Sequence, residues 1–345
     1  MIELDERKVS HFFDDPDNRS RLEALLKEGG CYPTNVVIHP TMLCNHRCDF
    51  CNYFHNLDER DKIEGGKIKI NGSIETYHMV KFFEEFDKCG VKALVISGGG
   101  DPLLHKDIEV ILENALRFKF RKHFYTNLDF DLSDHVIELL SKFDSVNLNI
   151  NTTDDGLYKL TRGKNSNISR VVDNVSKLKE KSALINAVIV VRDNTLQTLD
   201  ATIDRMRDCG FSSLTISPAF DLGYRDGGSA SEKTMGNLVR IKKKSKSKAD
   251  IRVLRNVEDA VLKDDKIYCR THLFDITIGA DYNVYPCCMT SYTSGYSVIN
   301  LRKFGSFTEA WESDERKERI TQLNFGCNRC WFGAANDYLK TLGVS

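Results

Sequence analysis

The octapeptide Cys44-Asn45-His46-Arg47-Cys48-Asp49-Phe50-Cys51 spaces three cysteines as C-x3-C-x2-C, with an aromatic residue directly before the last. Three thiolates from one short loop can converge on three corners of an iron–sulfur cube, leaving the fourth iron without a protein ligand. An open coordination position is what separates a catalytic metal site from a closed structural one. Zinc is the alternative, and it would want a fourth ligand, which His46 or His55 could supply.

The loop directly follows an apolar run at 36–40, the first of six β-rich runs; the others are 93–97, 123–126, 145–150, 184–191 and 213–217. Helical patterns alternate with them. The stretch 79–88 carries Val80, Phe83 and Phe86 on one face, and 107–118 carries Ile108, Ile111, Leu112 and Ala115. Stretches 134–143, 169–181 and 195–209 continue the pattern. This order predicts an α/β fold with a parallel sheet, curled by right-handed crossovers into an open or closed barrel. Beyond Pro218 the repeat fades into a Gly- and Ser-rich stretch at 223–231 and a basic run at 240–248, which reads as a solvated helix face or linker. Past Lys266, runs at 276–278 and 284–285 flank a turn at 280–283 and read as a hairpin, and 307–322 reads as a helix.

Composition narrows the classes. A net charge of −1 offers no overall attraction to nucleic acid or to an anionic membrane surface. No apolar run approaches the ~20 residues of a membrane span, and the charged first residues suit neither a signal peptide nor an anchor. The expected location is the cytoplasm, where eleven cysteines are not a disulfide framework. A second group of them, Cys269, Cys287, Cys327 and Cys330, supplies four thiolates, enough to close a second [4Fe–4S] cluster or an all-thiolate zinc site. Cys288 doubles Cys287 and leaves the assignment between them open. Cys89 and Cys209 each sit between a helix and a strand and read as buried structural thiols.

The first loop resembles the signature of the radical S-adenosylmethionine superfamily, and three later segments match that family's pattern in order. Ser97-Gly98-Gly99-Gly100-Asp101-Pro102 is similar to its Gly-Gly-Glu-Pro motif, with Asp101 in place of Glu. Asn149, within Asn147-Leu148-Asn149-Ile150-Asn151, falls where relatives use Ser, and Arg162 falls where they pair an arginine with the methionine carboxylate. The resemblance spans roughly residues 36–218. It implies a partial (β/α)6 TIM-type barrel in which Cys44, Cys48 and Cys51 hold a [4Fe–4S] cluster whose open iron binds S-adenosyl-L-methionine. It places Gly99, Gly100, Asp101, Thr126, Asn127, Asn149, Arg162 and Asn194 around that cofactor, with Phe50 on its adenine and Tyr53 lining the pocket.

The C-terminal cysteines resemble a twitch domain, a shortened SPASM domain with one auxiliary [4Fe–4S] cluster on Cys269, Cys287, Cys327 and Cys330. Two departures are Cys288 and Tyr282, the latter standing where the family has glycine. The implied organisation is an extension (1–35), the barrel (36–220), a linker (221–265) and the auxiliary domain (266–345). The cysteine arrangement is similar to that of 2-deoxy-scyllo-inosamine dehydrogenase-like enzymes. The implied reaction is hydrogen abstraction from a sugar, aminocyclitol or nucleoside carbinol, completed as a two-electron oxidation, with a flavodoxin or ferredoxin-type electron donor. Two alternatives remain. One is radical epimerisation, with Cys288 or Cys31 returning a hydrogen atom. The other is peptide maturation, which the short stretch before the barrel disfavours because it leaves no room for a leader-binding domain.

Overall fold

The computed structural model describes residues 11–28, 30–51, 53, 72–219, 234, 236–239, 251–253, 269–293, 295–322 and 332–344. After helix α1 (Pro16–Glu28) the chain enters strand β1 (Asn35–Ile38) and then alternates: α2 (Thr76–Lys88), β2 (Ala93–Ile96), α3 (Ile108–Ala115), β3 (Arg121–Thr126), α4 (Asp134–Ser141) and β4 (Ser145–Ile150). Helices α5 (Asp155–Arg162) and α6 (Ile168–Glu180) lead to β5 (Ile185–Val191), then α7 (Leu199–Asp208), β6 (Ser213–Pro218) and β7 (Ile251–Val253). The C-terminal part holds β8 (Asp275–Ile278), β9 (Asn283–Tyr285), β10 (Ile299–Asn300), α8 (Phe307–Glu312), α9 (Asp314–Gln322) and α10 (Gly333–Thr341).

Strands β1 to β7 lie side by side in sequence order and are parallel throughout, the arrangement of a partial TIM-type barrel. Alternation along each strand separates two faces. Val36, Ile38, Leu94, Ile96, Phe124, Leu148, Ile189 and Ile216 are fully buried in one core with helix residues such as Phe83, Phe86, Ile111, Leu112, Leu140 and Leu178. The intervening positions, among them Val37, Val95, His123, Tyr125, Asn149, Asn186 and Val188, face inward and are only half-buried. Side-chain oxygens of Ser133, Asp154 and Asn167 cap the starts of α4, α5 and α6.

All six expected strands are present, with ends moved by at most two residues. The helix expected over 195–209 starts instead as a 3-10 turn before α7. The one expected over 307–322 is two helices. Ser313 divides them: its extended backbone stops α8, while its hydroxyl accepts from Arg316 N at 3.2 Å and so caps α9. The basic run at 240–248 and the Gly- and Ser-rich stretch at 223–231 lie outside the described residues. No described helix is long and apolar enough to cross a membrane.

The C-terminal hairpin joins the barrel sheet. Strand β8 pairs in parallel with β1, from Asn35 opposite Asp275 to Ile38 opposite Ile278, and β9 and β10 return antiparallel, giving a ten-stranded sheet. Helix α8 docks on α2 through an edge-on contact of Phe86 with Phe307, and the Glu85 carboxylate accepts the Phe307 backbone N–H.

Tyr282 in the hairpin turn has φ +66°, a backbone state that glycine adopts freely and a bulky side chain does not. Its side chain explains why it is there. The hydroxyl accepts the backbone N–H of Glu75 at 2.9 Å and lies 3.0 Å from His78 Nδ1, and the Arg302 guanidinium stacks 4.1 Å from the ring centre. The residue that bends the hairpin thus also ties it to the start of α2. Replacing Tyr282 by Phe removes the acceptor and is expected to cost about 1–2 kcal/mol. Replacement by Gly relieves the backbone but empties the site, for a net loss of about 2–4 kcal/mol. Urea unfolding midpoints should rank wild type above Tyr282→Phe, and Tyr282→Phe above Tyr282→Gly.

Candidate active site

The cysteine loop leaves β1 at the C-terminal end of the sheet and is pinned to the turn after β2 through the backbone. Gly100 N donates to Thr41 O at 2.9 Å, and Asp101 N donates to Leu43 O at 2.7 Å. A Cβ on Gly100 would overlap the Leu43 carbonyl, so only glycine lets the two segments approach this closely. Further bonds hold the other side of the loop. Arg47 N donates to Arg162 O at 2.8 Å and Asp49 N to Thr161 O at 3.1 Å, so the end of α5 braces the middle of the loop. The Asp49 carboxylate pairs with Arg192 at 2.6 Å.

Asp101 is only 4% exposed and works as a staple between turns. Its carboxylate accepts from Thr126 Oγ1 at 3.0 Å, Asn127 N at 2.8 Å and Leu103 N at 3.1 Å. Burial pushes its pKa up to about 6 against the pull of these bonds. Asn127 extends the bracing, donating to Asn45 Oδ1 at 2.8 Å. The expected Thr126, Asn127 and Asp101 are therefore brought together, and they bond to each other.

Arg162 is 2% exposed, yet no carboxylate pairs with it among the described residues. Its Nε donates to Asn151 Oδ1 at 2.7 Å and its Nη2 to Asn149 Oδ1 at 2.9 Å, while Phe50 and Tyr158 lie 5.3 and 5.2 Å from the guanidinium. A buried cation held by neutral oxygens and ring faces is suited to receive a carboxylate. Asn149, Phe50 and Arg162 thus form one cluster beside the cysteine loop. Asn194 is exposed on the loop after β5, and it is Arg192 from that loop that reaches the cysteine segment.

Several contributors were not foreseen. His46, considered as a zinc ligand, gives its Nε2 to Asp129 at 2.8 Å, and Asp129 also pairs with Arg170 at 2.6 Å and accepts Asn167 N at 2.7 Å. Burial lowers the His46 pKa to about 4, so it is a neutral brace at neutral pH. His55 lies outside the described residues. Tyr292, from the segment after β9, reaches the glycine turn from the opposite side. Its hydroxyl would sit 2.6 Å from a Cβ on Gly99, lies 3.1 Å from His39 Nδ1, and accepts Ala280 N at 3.0 Å. Tyr292 also has φ +64° and is fully buried, as is His39. Tyr53 meets both rings, at 5.0 Å from His39 and 6.1 Å from Tyr292.

Toward the N-terminal ends of the strands the inward face carries a polar ladder. His123 Nδ1 lies 2.8 Å from Ser145 Oγ, Asn147 Nδ2 donates to Ser145 Oγ at 2.9 Å, Asn186 Nδ2 to Asn147 Oδ1 at 3.2 Å, and Ser213 Oγ to Asn186 Oδ1 at 2.8 Å. A barrel interior that is usually filled with branched apolar side chains here carries, beside Val37, Val95 and Val188, a row of amides and hydroxyls.

The chemistry of the donor set bears on the expected cluster. Cys44, Cys48 and Cys51 are part-exposed thiols on the pinned loop; burial, with the Asp101 charge, pushes Cys44 up to about 12, and burial pushes Cys48 to about 11 against the pull of Arg162. Thiolates so placed need a metal's positive charge beside them. Among the described residues no three metal-ligating side chains form a ready-made cage, so the metal itself would draw the trio together. The loop fits a cluster with one open iron.

In the second group, Cys269 Sγ lies 3.6 Å from Thr271 Oγ1 and Cys287 Sγ 3.8 Å from Thr290 Oγ1, while Cys327 and Cys330 lie outside the described residues. Cys288 is enclosed next to Cys287, near Tyr53 and Tyr125, and burial holds its thiol protonated. Cys31 is remote from the first loop. Its Sγ contacts Leu273 O at 3.5 Å, and it packs in the cluster of Phe13, Leu22, Phe274 and Leu339. Cys89 is buried and Cys209 half-buried at helix ends.

A parallel barrel with a three-cysteine loop, a glycine turn and a buried arginine at the C-terminal ends of its strands defines a radical enzyme core. Residues 38–206 match the Radical SAM superfamily, so this part of the chain is a radical SAM domain. It is 29% identical over 195 residues to a "Probable GTP 3',8-cyclase" of Methanopyrus kandleri, covering 55% of this chain and 59% of that protein. It is 25% identical over 166 residues to an "S-adenosylmethionine-dependent nucleotide dehydratase" of Selenomonas ruminantium, covering 47% and 56%. The matches thus span less than two thirds of either relative. Among solved structures, Streptococcus suis SuiB bound to S-adenosylmethionine aligns with a TM-score of 0.67 at 15% identity, over 91% of this chain and 74% of that one. Native anSMEcpe with bound AdoMet aligns with a TM-score of 0.63 at 18% identity, over 88% and 89%. At these identities the structural likeness concerns the fold.

The closeness of the two pinned segments has a direct consequence. Gly100→Ala should force the cysteine loop away from the turn and lower the melting temperature by roughly 4 °C or more, through a loss of about 2 kcal/mol. Iron retained after anaerobic reconstitution should fall with it. An unchanged melting temperature would show that the loop tolerates displacement.

Proposed function

We propose that this radical SAM enzyme abstracts a hydrogen atom from the carbinol carbon of a small polar substrate, a sugar, aminocyclitol or nucleoside, and completes a two-electron oxidation. The observation that carries the reading is Arg162, buried beside the three-cysteine loop, its guanidinium hydrogen-bonded to neutral amide oxygens and in no salt bridge among the described residues. When bound, the cluster and S-adenosyl-L-methionine supply a 5′-deoxyadenosyl radical. Arg162 would bind the methionine carboxylate, and its two amide contacts and two ring contacts fix its direction. The glycine turn offers backbone carbonyls to the methionine ammonium, with Asp101 holding that turn in place through Thr126 and Asn127. The polar inward face supports a substrate rich in hydroxyl or amide groups. Cys269, Cys287, Cys327 and Cys330 would hold the auxiliary cluster that accepts the second electron, and a flavodoxin or ferredoxin would reduce the first.

Cys288 favours a second reading. Its protonated thiol near Tyr53 and Tyr125 is suited to return a hydrogen atom, which would make the reaction an epimerisation. The nucleotide chemistry in the names of the two sequence relatives, and the peptide complexes solved for both structural neighbours, are properties of those proteins.

Anaerobically reconstituted wild type should hold about eight irons and form 5′-deoxyadenosine under reduction, whereas Cys44→Ala should keep about four and form none. Continued 5′-deoxyadenosine production by the variant would defeat the ligand assignment. Uptake of solvent deuterium into product would select epimerisation, and a carbonyl product without it would select oxidation.

A further inference from the structure

Asp275 opens strand β8 and sits opposite Asn35 of β1. Strand alternation sets Ile276 and Ile278 into the core, which leaves Asp275 on the face that carries the polar ladder. Its side chain keeps some accessible surface but is enclosed by protein. Among the described residues its carboxylate takes part in no hydrogen bond and no ion pair. The groups that feel its charge are Tyr125 of β3 and Cys287 and Cys288 after β9, none of them a cation. The ladder residues nearby are amides and hydroxyls bonded to one another, and burial keeps His123 toward its neutral form.

We propose that Asp275 recognises substrate by pairing with a primary ammonium group that enters the barrel. The proposal rests on the small-polar-substrate reading above and sharpens it. An enclosed carboxylate without a partner is costly, and burial alone pushes its pKa up to about 7. Neutral hydroxyls can be held by the amide and hydroxyl ladder; among the described strand residues of this face Asp275 is the one acidic group, and a cation restores what burial takes from it. An unpartnered carboxylate on the inward face, where the ladder side chains are themselves neutral, is complementary to an incoming positive charge.

Thermal melts of the full reconstituted chain test this, with methylammonium chloride, glucosamine and a lysine-containing tripeptide as probes. Sodium chloride, glucose and the matching alanine tripeptide serve as controls. Asp275→Asn, which keeps the shape and removes the charge, should melt about 2–4 °C above wild type without probe. Asp275→Ser is the second variant should the amide fail to fold. Methylammonium and at least one of the larger amines should stabilise wild type beyond the control and leave both variants unmoved. A response to glucosamine assigns the ammonium to an amino-bearing polyol, and a response to the lysine peptide alone assigns it to a side chain of a peptide. Absence of any amine response in wild type, or an equal response in the variants, would overturn the proposal. Failure of the radical reading appears separately, in the 5′-deoxyadenosine assay.

Discussion

Two backbone hydrogen bonds, from Gly100 N to Thr41 O and from Asp101 N to Leu43 O, set the geometry on which the site depends. They join the loop after β1 to the turn after β2 without using any side chain, so the cysteine thiols are not needed to hold the two segments together. The constraint propagates in both directions. Asp101 passes it to the end of β3 through Thr126 and Asn127, and the cysteine loop passes it to α5 through Thr161 and Arg162. Loss of the close approach would release the thiols, the glycine carbonyls and the arginine from one another, although each local element would still fold. Such a frame fixes the segments that carry the thiols, so that a bound metal would need only to draw the thiols themselves together.

The sheet was readable in the sequence because apolar residues recur on one side of its strands, as expected where helices cover that face. The helices with wide apolar stripes, α2, α3, α4, α6 and most of α7, were readable for the same reason. Helix α5 was missed, since eight residues give barely two turns of periodicity. The division at Ser313 was missed because a helix-capping serine and a mid-helix serine look alike until its hydroxyl partner is known. Pairing of β8 with β1 was beyond the sequence altogether. The two strands lie more than two hundred residues apart, and their apolar patterns would suit any edge of the sheet.

For the site, the sequence carried the spacing and the structure carried the partners. The trio of cysteines, the glycine turn and Arg162 follow a linear pattern and could be named. His46 could be named too, but not its commitment to Asp129, which depends on a contact across eighty-three positions. Tyr292 and Asp275 gave no linear signal, because each gains meaning only when the C-terminal hairpin lies against β1. Tyr282 did give one, as a departure from glycine, and its meaning emerged from the three groups its side chain engages.

One feature unites the two ends of the barrel. Near the cysteine loop lies a buried cation, Arg162, whose guanidinium has no salt bridge among the described residues, and on the inward face at the start of β8 lies a carboxyl group, Asp275, with no cation bonded to it among them. Folding alone would favour placing such charges together or replacing both with apolar groups. Keeping them apart costs stability in the empty protein and creates two positions of opposite charge along one interior. A substrate bearing an ammonium group would then be drawn to one position and a carboxylate-bearing cofactor to the other. Swapping their places would bring like charges together. On the ammonium proposal the barrel would sort its two ligands by charge before any shape is compared.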